Sequence, residues 1–286
     1  PPQAIFSAPL QTAVCPMRSV GAATGAVGVQ RPVAGSSRPP ASPGRVAVPP
    51  QTIISVPVQT ALCSTVPAGA PTVEIARLIA RTPALRFRGI HAYHGAAQHL
   101  RTPGERSAAI SAAVERVRET KRQVEVAGIE CPVVTGAGTG TWQLERDSGV
   151  YTEVQPGSYV FMDADYHRNA LAPDQHHFEQ SLFVLAGVMS APVRERAVVD
   201  AGLKAFAFDS GPPLVYGARG LEYVKASDEH GVLAVAPDVD PPMPSDRVWL
   251  IPGHCDPTVN LYDWIVGVRG TRVECVWPVS ARGALA

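Results

Sequence analysis

Apolar and polar positions follow two regimes along this chain. Up to about residue 70 no amphipathic period lasts more than four or five residues, because Pro-Pro pairs, Ser-Ser and Gly-Ala steps interrupt each apolar run. From Pro71 on, the punctuation becomes regular. Thr72 is placed to cap a short helix carrying Ile75, Leu78 and Ile79 on one face and ending before Pro83. Residues 85–90 alternate as a strand and lead into a polar stretch, His91 to His99. A second helix is predicted from Glu105 to Ala127, with Ile110, Ala113, Val114, Val117 and Val124 as its inner stripe and Gly128 as its stop. Short strands are predicted at 132–135 and 150–154, each followed by a glycine-bearing loop, residues 136–141 and 155–159.

Helix, strand, helix, strand, glycine loop, strand, glycine loop is the rhythm of parallel β/α units, in a number suited to the last third of a barrel. Beyond Pro173 the pattern shifts to short strands between Pro and Gly turns, predicted at 182–189, 205–208, 232–235, 248–251 and 273–276. The expected fold is therefore α/β plus β. Residues 1–70 form an irregular Pro/Ala-rich segment, 71–170 a partial β/α barrel, and 171–286 a mostly β domain.

Composition sharpens the first boundary. The first 73 residues contain no Asp, Glu or Lys, only four Arg, and 13 of the 28 prolines. Two readings fit: a Pro/Ala/Val-rich arm that does not pack, or an out-of-frame translation of GC-rich coding sequence. The chain begins at Pro1 rather than Met, which reads as a fragment. The formal net charge of zero gives no reason to expect a nucleic-acid or membrane surface, and no apolar run approaches the ~18 residues that span a bilayer. No signal-peptide pattern opens the chain. Five irregularly spaced cysteines (15, 63, 131, 255 and 275) with no CxxC read as reduced thiols in a cytoplasmic protein.

Three stretches carry candidate chemistry. Residues 136–141, Gly-Ala-Gly-Thr-Gly-Thr, follow a strand end, where backbone N–H groups and the Thr139 hydroxyl can cradle a phosphate. The spacing is neither GxGxxG nor a Walker loop, which disfavours a dinucleotide or nucleoside triphosphate. Gly157 and Ser158 sit in the second such loop, and the loops after the last two barrel strands commonly form one phosphate site. Tyr93, His94, Gln98 and His99 follow an earlier strand on the same barrel face. His254 and Asp256, two residues apart after an apolar strand, can close on one divalent ion while Cys255 points away. A lone His-x-Asp is more often a hydrogen-bonded loop pair. His176-His177 and Glu229-His230 read as solvated linker and turn.

Residues 89–99 (GIHAYHGAAQH), 135–141 (TGAGTGT), 155–163 (QPGSYVFMD) and 252–263 (PGHCDPTVNLYD) together resemble D-threonine aldolase and its kin, the 3-hydroxy-D-aspartate aldolases and metal-dependent D-serine dehydratases. The resemblance runs from about Pro71 to Ala286. It implies the alanine-racemase (fold type III) architecture, with pyridoxal phosphate in the barrel and a divalent metal (Mn, Mg or Zn) in the β domain. By resemblance, Gly138, Thr139, Gly140, Gly157, Ser158 and Tyr166 serve the cofactor phosphate, and Tyr93 lines the pocket. His254 and Asp256 hold the metal, and His99 is the base for the substrate's 3-hydroxyl. The implied reaction cleaves a D-3-hydroxy amino acid to glycine and an aldehyde, in a homodimer. Aldolase is preferred to dehydratase because Asp256 stands where the dehydratases tend to carry a thiolate. The Schiff-base lysine of the family, in an early His-x-Lys-Thr-type motif, has no counterpart here. Lys121, Lys204 and Lys225 are the only lysines and sit in unsuitable places, so little or no aldolase activity is expected of this chain.

Overall fold

The computed structural model describes residues 66–283, together with the backbone of two short strands, β1 (Gln3–Phe6) and β2 (Thr52–Ser55). β2 begins a four-stranded, all-parallel sheet that continues through β3 (Phe87–Ala92), β4 (Val133–Gly136) and β5 (Glu153–Val154). Helices α1 (Ala70–Arg81) and α2 (Pro103–Val126) cover one face of it. Ile90, Ala92 and Val134 of the strands pack there against Val73, Ala76, Ile79, Ile110, Val114 and Val117. This is a run of β/α units of the kind that builds a barrel.

The ends of α2 explain its length. Thr102 accepts from the Glu105 backbone N–H while the Glu105 carboxylate accepts from Thr102 N–H, a reciprocal cap that starts the helix two residues before the predicted Glu105. At the other end Gly128 adopts φ 80°, and the N–H groups of Gly128 and Ile129 reach Glu125 O and Val124 O. The predicted inner stripe is buried throughout.

α1 departs from its predicted start. Its N-cap is Gly69, and the Thr72 hydroxyl donates back to Pro67 O at 2.8 Å instead of capping the helix. The strand predicted at 150–154 shrinks to Glu153–Val154, flanked by Thr152 N–H and Gln155 N–H bonds to the β4 carbonyls of Val134 and Gly136.

After α3 (Trp142–Asp147) and α4 (Ala164–His167), residues 168–181 contain no helix or strand. The rest is a β structure built on β6 (Leu182–Val193), whose first half pairs with β1 on one side and with β11 (Arg247–Ile251) on the other. Its second half pairs with β7 (Arg196–Val199), and the ladder continues through β10 (Gly231–Val235) to β9 (Leu221–Ala226). β8 (Leu214–Tyr216) extends β11, while β12 (Trp264–Arg269) and β13 (Arg272–Pro278) form a hairpin beside β1. Val184, Ala186, Leu233, Leu250 and Phe206 are buried in the core of this half.

The strand predicted at 205–208 is not formed. Ala205 and Phe206 are buried, but the backbone there turns, with Ala207 N–H held by the Thr258 hydroxyl instead of a neighbouring strand. Within residues 1–70, expected to be irregular, β1 and β2 occupy eight positions. The rest of that reading, up to residue 65, lies outside the described residues. Among the described residues no helix is long and apolar enough to cross a membrane, and Cys131, Cys255 and Cys275 are free thiols.

Candidate active site

The C-terminal ends of β3, β4 and β5 point the same way because the strands are parallel, so the segments that follow them cluster at one edge. After β3 a short 3-10 turn, Gly95–His99, carries Gln98 into the interior with no exposed surface. Its amide organises the glycine loop after β4. Gly140 N–H donates to Gln98 Oε1 at 3.0 Å, Gln98 Nε2 donates to the Thr141 hydroxyl at 2.7 Å, and Asn169 donates to Gln98 O at 2.8 Å. The packing is tight enough to require glycine. A Cβ at Gly138 would stand 2.5 Å from Gln98 Oε1, and one at Gly140 would stand 2.6 Å from Gln98 O. Gly138 and Gly140 thus let the loop close onto Gln98.

Thr139 looks the other way. Its buried hydroxyl accepts from Tyr159 N–H at 3.0 Å, which fastens the first glycine loop to the second. The two loops meet, as two halves of one anion site require. Ser158 is buried beside them, a Cβ on Gly157 would face open space, and no described residue accepts from the N–H groups of Thr139, Gly157 or Ser158. Ala137 (φ 66°) and Met162 (φ 51°) take left-handed conformations at the borders of this cradle. Such backbone strain gathers where a fold must aim groups at a ligand.

Next to the cradle, α4 presents Tyr166. Its ring centroid is 5.5 Å from that of His99, and burial, with Tyr93, Asp163 and Asp256 nearby, raises its pKa far above that of an ordinary phenol. His99 is half-exposed, with Nδ1 at 2.5 Å from Asp165 Oδ2. Arg101 grips the other oxygen of that buried carboxylate. Tyr93 is exposed and stacks parallel to His91 with centroids 6.4 Å apart. His91 in turn bonds Gln155 at 2.8 Å, and burial lowers its pKa. His94 is buried, its pKa lowered by burial and by Arg116.

The stretch after β11 arrives at the same place. Ala164 N–H and Asp165 N–H bond to Pro252 O and Gly253 O, and the buried Asp163 carboxylate accepts from both Tyr166 N–H and Cys255 N–H. One side chain therefore starts α4 and also fixes the loop carrying His254. The extended strand geometry expected for His254 to Asp256 is replaced. His254 is the N-cap of a short helix, α5 (Cys255–Val259), with Asp256 in its first turn. His254 Nε2 still lies 3.8 Å from Asp256 Oδ2, so the pair faces one point. Cys255 does turn inward, fully buried, its thiol beside Ser158 and Asp256 and its pKa raised by burial. Burial alone would lower the His254 pKa. The hydrogen bond to Asp209 and the charges of Asp256, Asp209 and Asp163 outweigh it and raise the value. Among the described residues no three His, Cys, Asp or Glu side chains gather as a metal cage.

Sequence reasoning missed the carboxylates that hold this site. Asp163 ends a stretch singled out for its glycine, while Asp165 and Asp209 stand in segments with no chemical signature of their own. None of the three lysines joins the cluster. Lys121 pairs with Glu125 on α2, Lys204 pairs with Glu229, and Lys225 lies in β9. His176 packs against Phe178, and Glu229-His230 forms the turn before β10.

Residues 181–268, which include the His254–Asp256 pair, match the family described as a putative serine dehydratase domain. A 3-hydroxy-D-aspartate aldolase from Paracoccus denitrificans (strain Pd 1222) is 50% identical over 216 residues, 74% of this chain and 55% of that protein. The crystal structure of a D-threonine aldolase from Filomicrobium marinum aligns with a TM-score of 0.78 at 40% identity, covering 81% of this chain and 63% of that one. The chain is a homologue of the D-threonine and 3-hydroxy-D-aspartate aldolases. The chain spans about half the length of the curated relative it matches. An alanine racemase-like protein from Idiomarina loihiensis, 18% identical with a TM-score of 0.64 over 80% of this chain and 64% of its own, shares the fold. This aldolase homologue therefore has the alanine-racemase fold, as part of a β/α barrel followed by a β-rich region.

Proposed function

We propose that the clustered residues form the site of a pyridoxal-phosphate- and divalent-metal-dependent lyase, which cleaves D-3-hydroxy amino acids such as D-threonine to glycine and an aldehyde. The observation that carries this reading is the convergence of the two glycine loops, His99 and the His254–Asp256 pair around Tyr166. The family relationship supports it.

The residues present fit the cofactor's phosphate. Thr139, Gly157 and Ser158 have N–H groups with no acceptor among the described residues, and the space over Gly157 is open. They do not supply its covalent anchor, since no lysine of this chain reaches the loops. When bound, the pyridoxal ring supplies an acceptor for the electron pair released from the Cα–Cβ bond. The remaining steps belong to the protein. Asp165 holds His99 by Nδ1 and leaves Nε2 to take the proton of the 3-hydroxyl. His254 and Asp256 would hold a divalent metal, which would supply Lewis-acid polarisation of the substrate's 3-hydroxyl and carboxylate. Tyr166, kept protonated by burial, and Tyr93 wall the pocket. Burial keeps the Cys255 thiol protonated and so disfavours the thiolate that would replace Asp256 as a ligand, which favours aldolase over dehydratase. The assembly in this reading is a homodimer.

The chain is mixed with pyridoxal phosphate and Mn²⁺, and its absorbance is followed as D- or L-threonine is added. Unbound pyridoxal phosphate forms imines with both isomers alike, so the change is read against a protein-free control, and the protein-dependent part should appear with the D isomer alone. Steady-state glycine release should be little or none without the lysine. Equal responses to the two isomers contradict the reading of the site, and rapid cleavage of D-threonine contradicts the role given to the missing lysine.

A further inference from the structure

We propose that Asp209 is the positioning residue of the metal pair. It holds the His254 ring by Nδ1 so that Nε2 is the nitrogen offered to the ion. The proposal rests on the metal reading above.

Two protein ligands make a sparse site, so the orientation of the one imidazole decides whether a site exists at all. The structure fixes that orientation from two sides. Asp209 Oδ2 lies 2.7 Å from His254 Nδ1, so in the neutral ring the proton sits on Nδ1 and the lone pair on Nε2. His254 Nε2 and Asp256 Oδ2 are 3.8 Å apart, and two ligands at about 2.1 Å from one ion can stand up to about 4 Å apart. A histidine that ligates a metal through one nitrogen almost always donates the other N–H to a carboxylate, a carbonyl or water.

The turn carrying Asp209 is built to reach His254. The fully buried Thr258 hydroxyl donates to His254 O at 2.7 Å and accepts from Ala207 N–H at 3.2 Å, tying the two segments together. Gly253 sits so close to the same turn that a Cβ there would stand 2.1 Å from Gly211 O. Phe206, almost fully buried, anchors the turn in the core. The Asp209 side chain itself is 52% exposed, so its replacement removes the hydrogen bond without opening the core.

The test uses the full chain, uniformly ¹⁵N-labelled, with Mn²⁺ alone as the titrant. Asp209→Ala should weaken Mn²⁺ binding about 10–100-fold. In the metal-free variant, at a pH where the ring is neutral, long-range ¹H–¹⁵N spectra should show His254 losing its single Nδ1–H tautomer. Asp209→Asn keeps an acceptor oxygen and should fall between the two. Circular dichroism confirms the fold of each variant. Mn²⁺ affinity within twofold of the unsubstituted chain for Asp209→Ala, or an unchanged His254 tautomer, overturns the proposal. If His254→Ala binds Mn²⁺ as well as the unsubstituted chain does, the metal reading itself fails and the role of Asp209 falls with it.

Discussion

His99 Nδ1 and Asp165 Oδ2 stand 2.5 Å apart, although 66 residues separate them in sequence. The carboxylate is buried, with 7% of its side chain exposed, and Arg101 holds its second oxygen and also donates to Asp165 O and to Asn169. Asp165 thus holds the His99 imidazole and joins the turn after β3 to α4. Asp165→Ala strips partners from Arg101 and His99 at once. Its unfolding free energy in urea should fall by about 2 kcal/mol, the order of a hydrogen bond to a charged group. An unchanged midpoint would show that the pair contributes nothing to stability.

Glu145 offers a pH test. It is buried on α3, with Oε1 bonded to the Thr141 hydroxyl and Oε2 without a partner among the described residues, and burial lifts its pKa from 4.5 to about 7. Between pH 4.5 and 7 the folded chain keeps a proton that the unfolded chain has released. Stability from this group is therefore fully present below pH 4.5 and is lost as the pH rises through 7, by about 3 kcal/mol in all. Glu145→Gln should flatten the slope of unfolding free energy measured from pH 5 to 8. The same slope in that variant would assign the effect to other groups.

The glycines of the two loops should separate by role. Gly140→Ala drives a methyl against the Gln98 backbone, and chemical denaturation should show a loss of roughly 1–3 kcal/mol. Gly157→Ala meets open space and should fold as the original does. Gly157→Asp should also fold, but its carboxylate would repel a bound phosphate. If Gly157→Asp binds phosphate esters normally, the cradle is elsewhere.

How much of this could be read in the residues depends on the reach of each interaction. The inner face of α2 is legible because burial follows the helical period, whereas its start is not, because Pro103-Gly104 reads as a turn while the Thr102–Glu105 cap encloses it. The run from Ala205 to Phe208 alternates small and aromatic residues as a strand would, but its partner is a threonine side chain 51 residues on. β12 lies outside the strands predicted from the sequence, and Gly267 interrupts its apolar run. It is glycine for a tertiary reason, since a Cβ there would stand 2.4 Å from Cys275 Sγ. His99, Thr139, His254 and Asp256 were visible as motifs. Asp163, Asp165 and Asp209 were not, since each acts on a group 45 or more residues away in sequence.

The most direct test of the account is binding of pyridoxamine 5′-phosphate against pyridoxamine, measured by calorimetry on the full chain. These amines form no imine with surface lysines, so the difference between them isolates the phosphate site. The phosphate ester should bind at least about tenfold more tightly, a gap of about 1.4 kcal/mol. Inorganic phosphate should compete, and Gly157→Asp should remove the difference. Equal binding of the two amines, or an advantage for the ester that survives Gly157→Asp, would contradict the claim that the two glycine loops hold the cofactor.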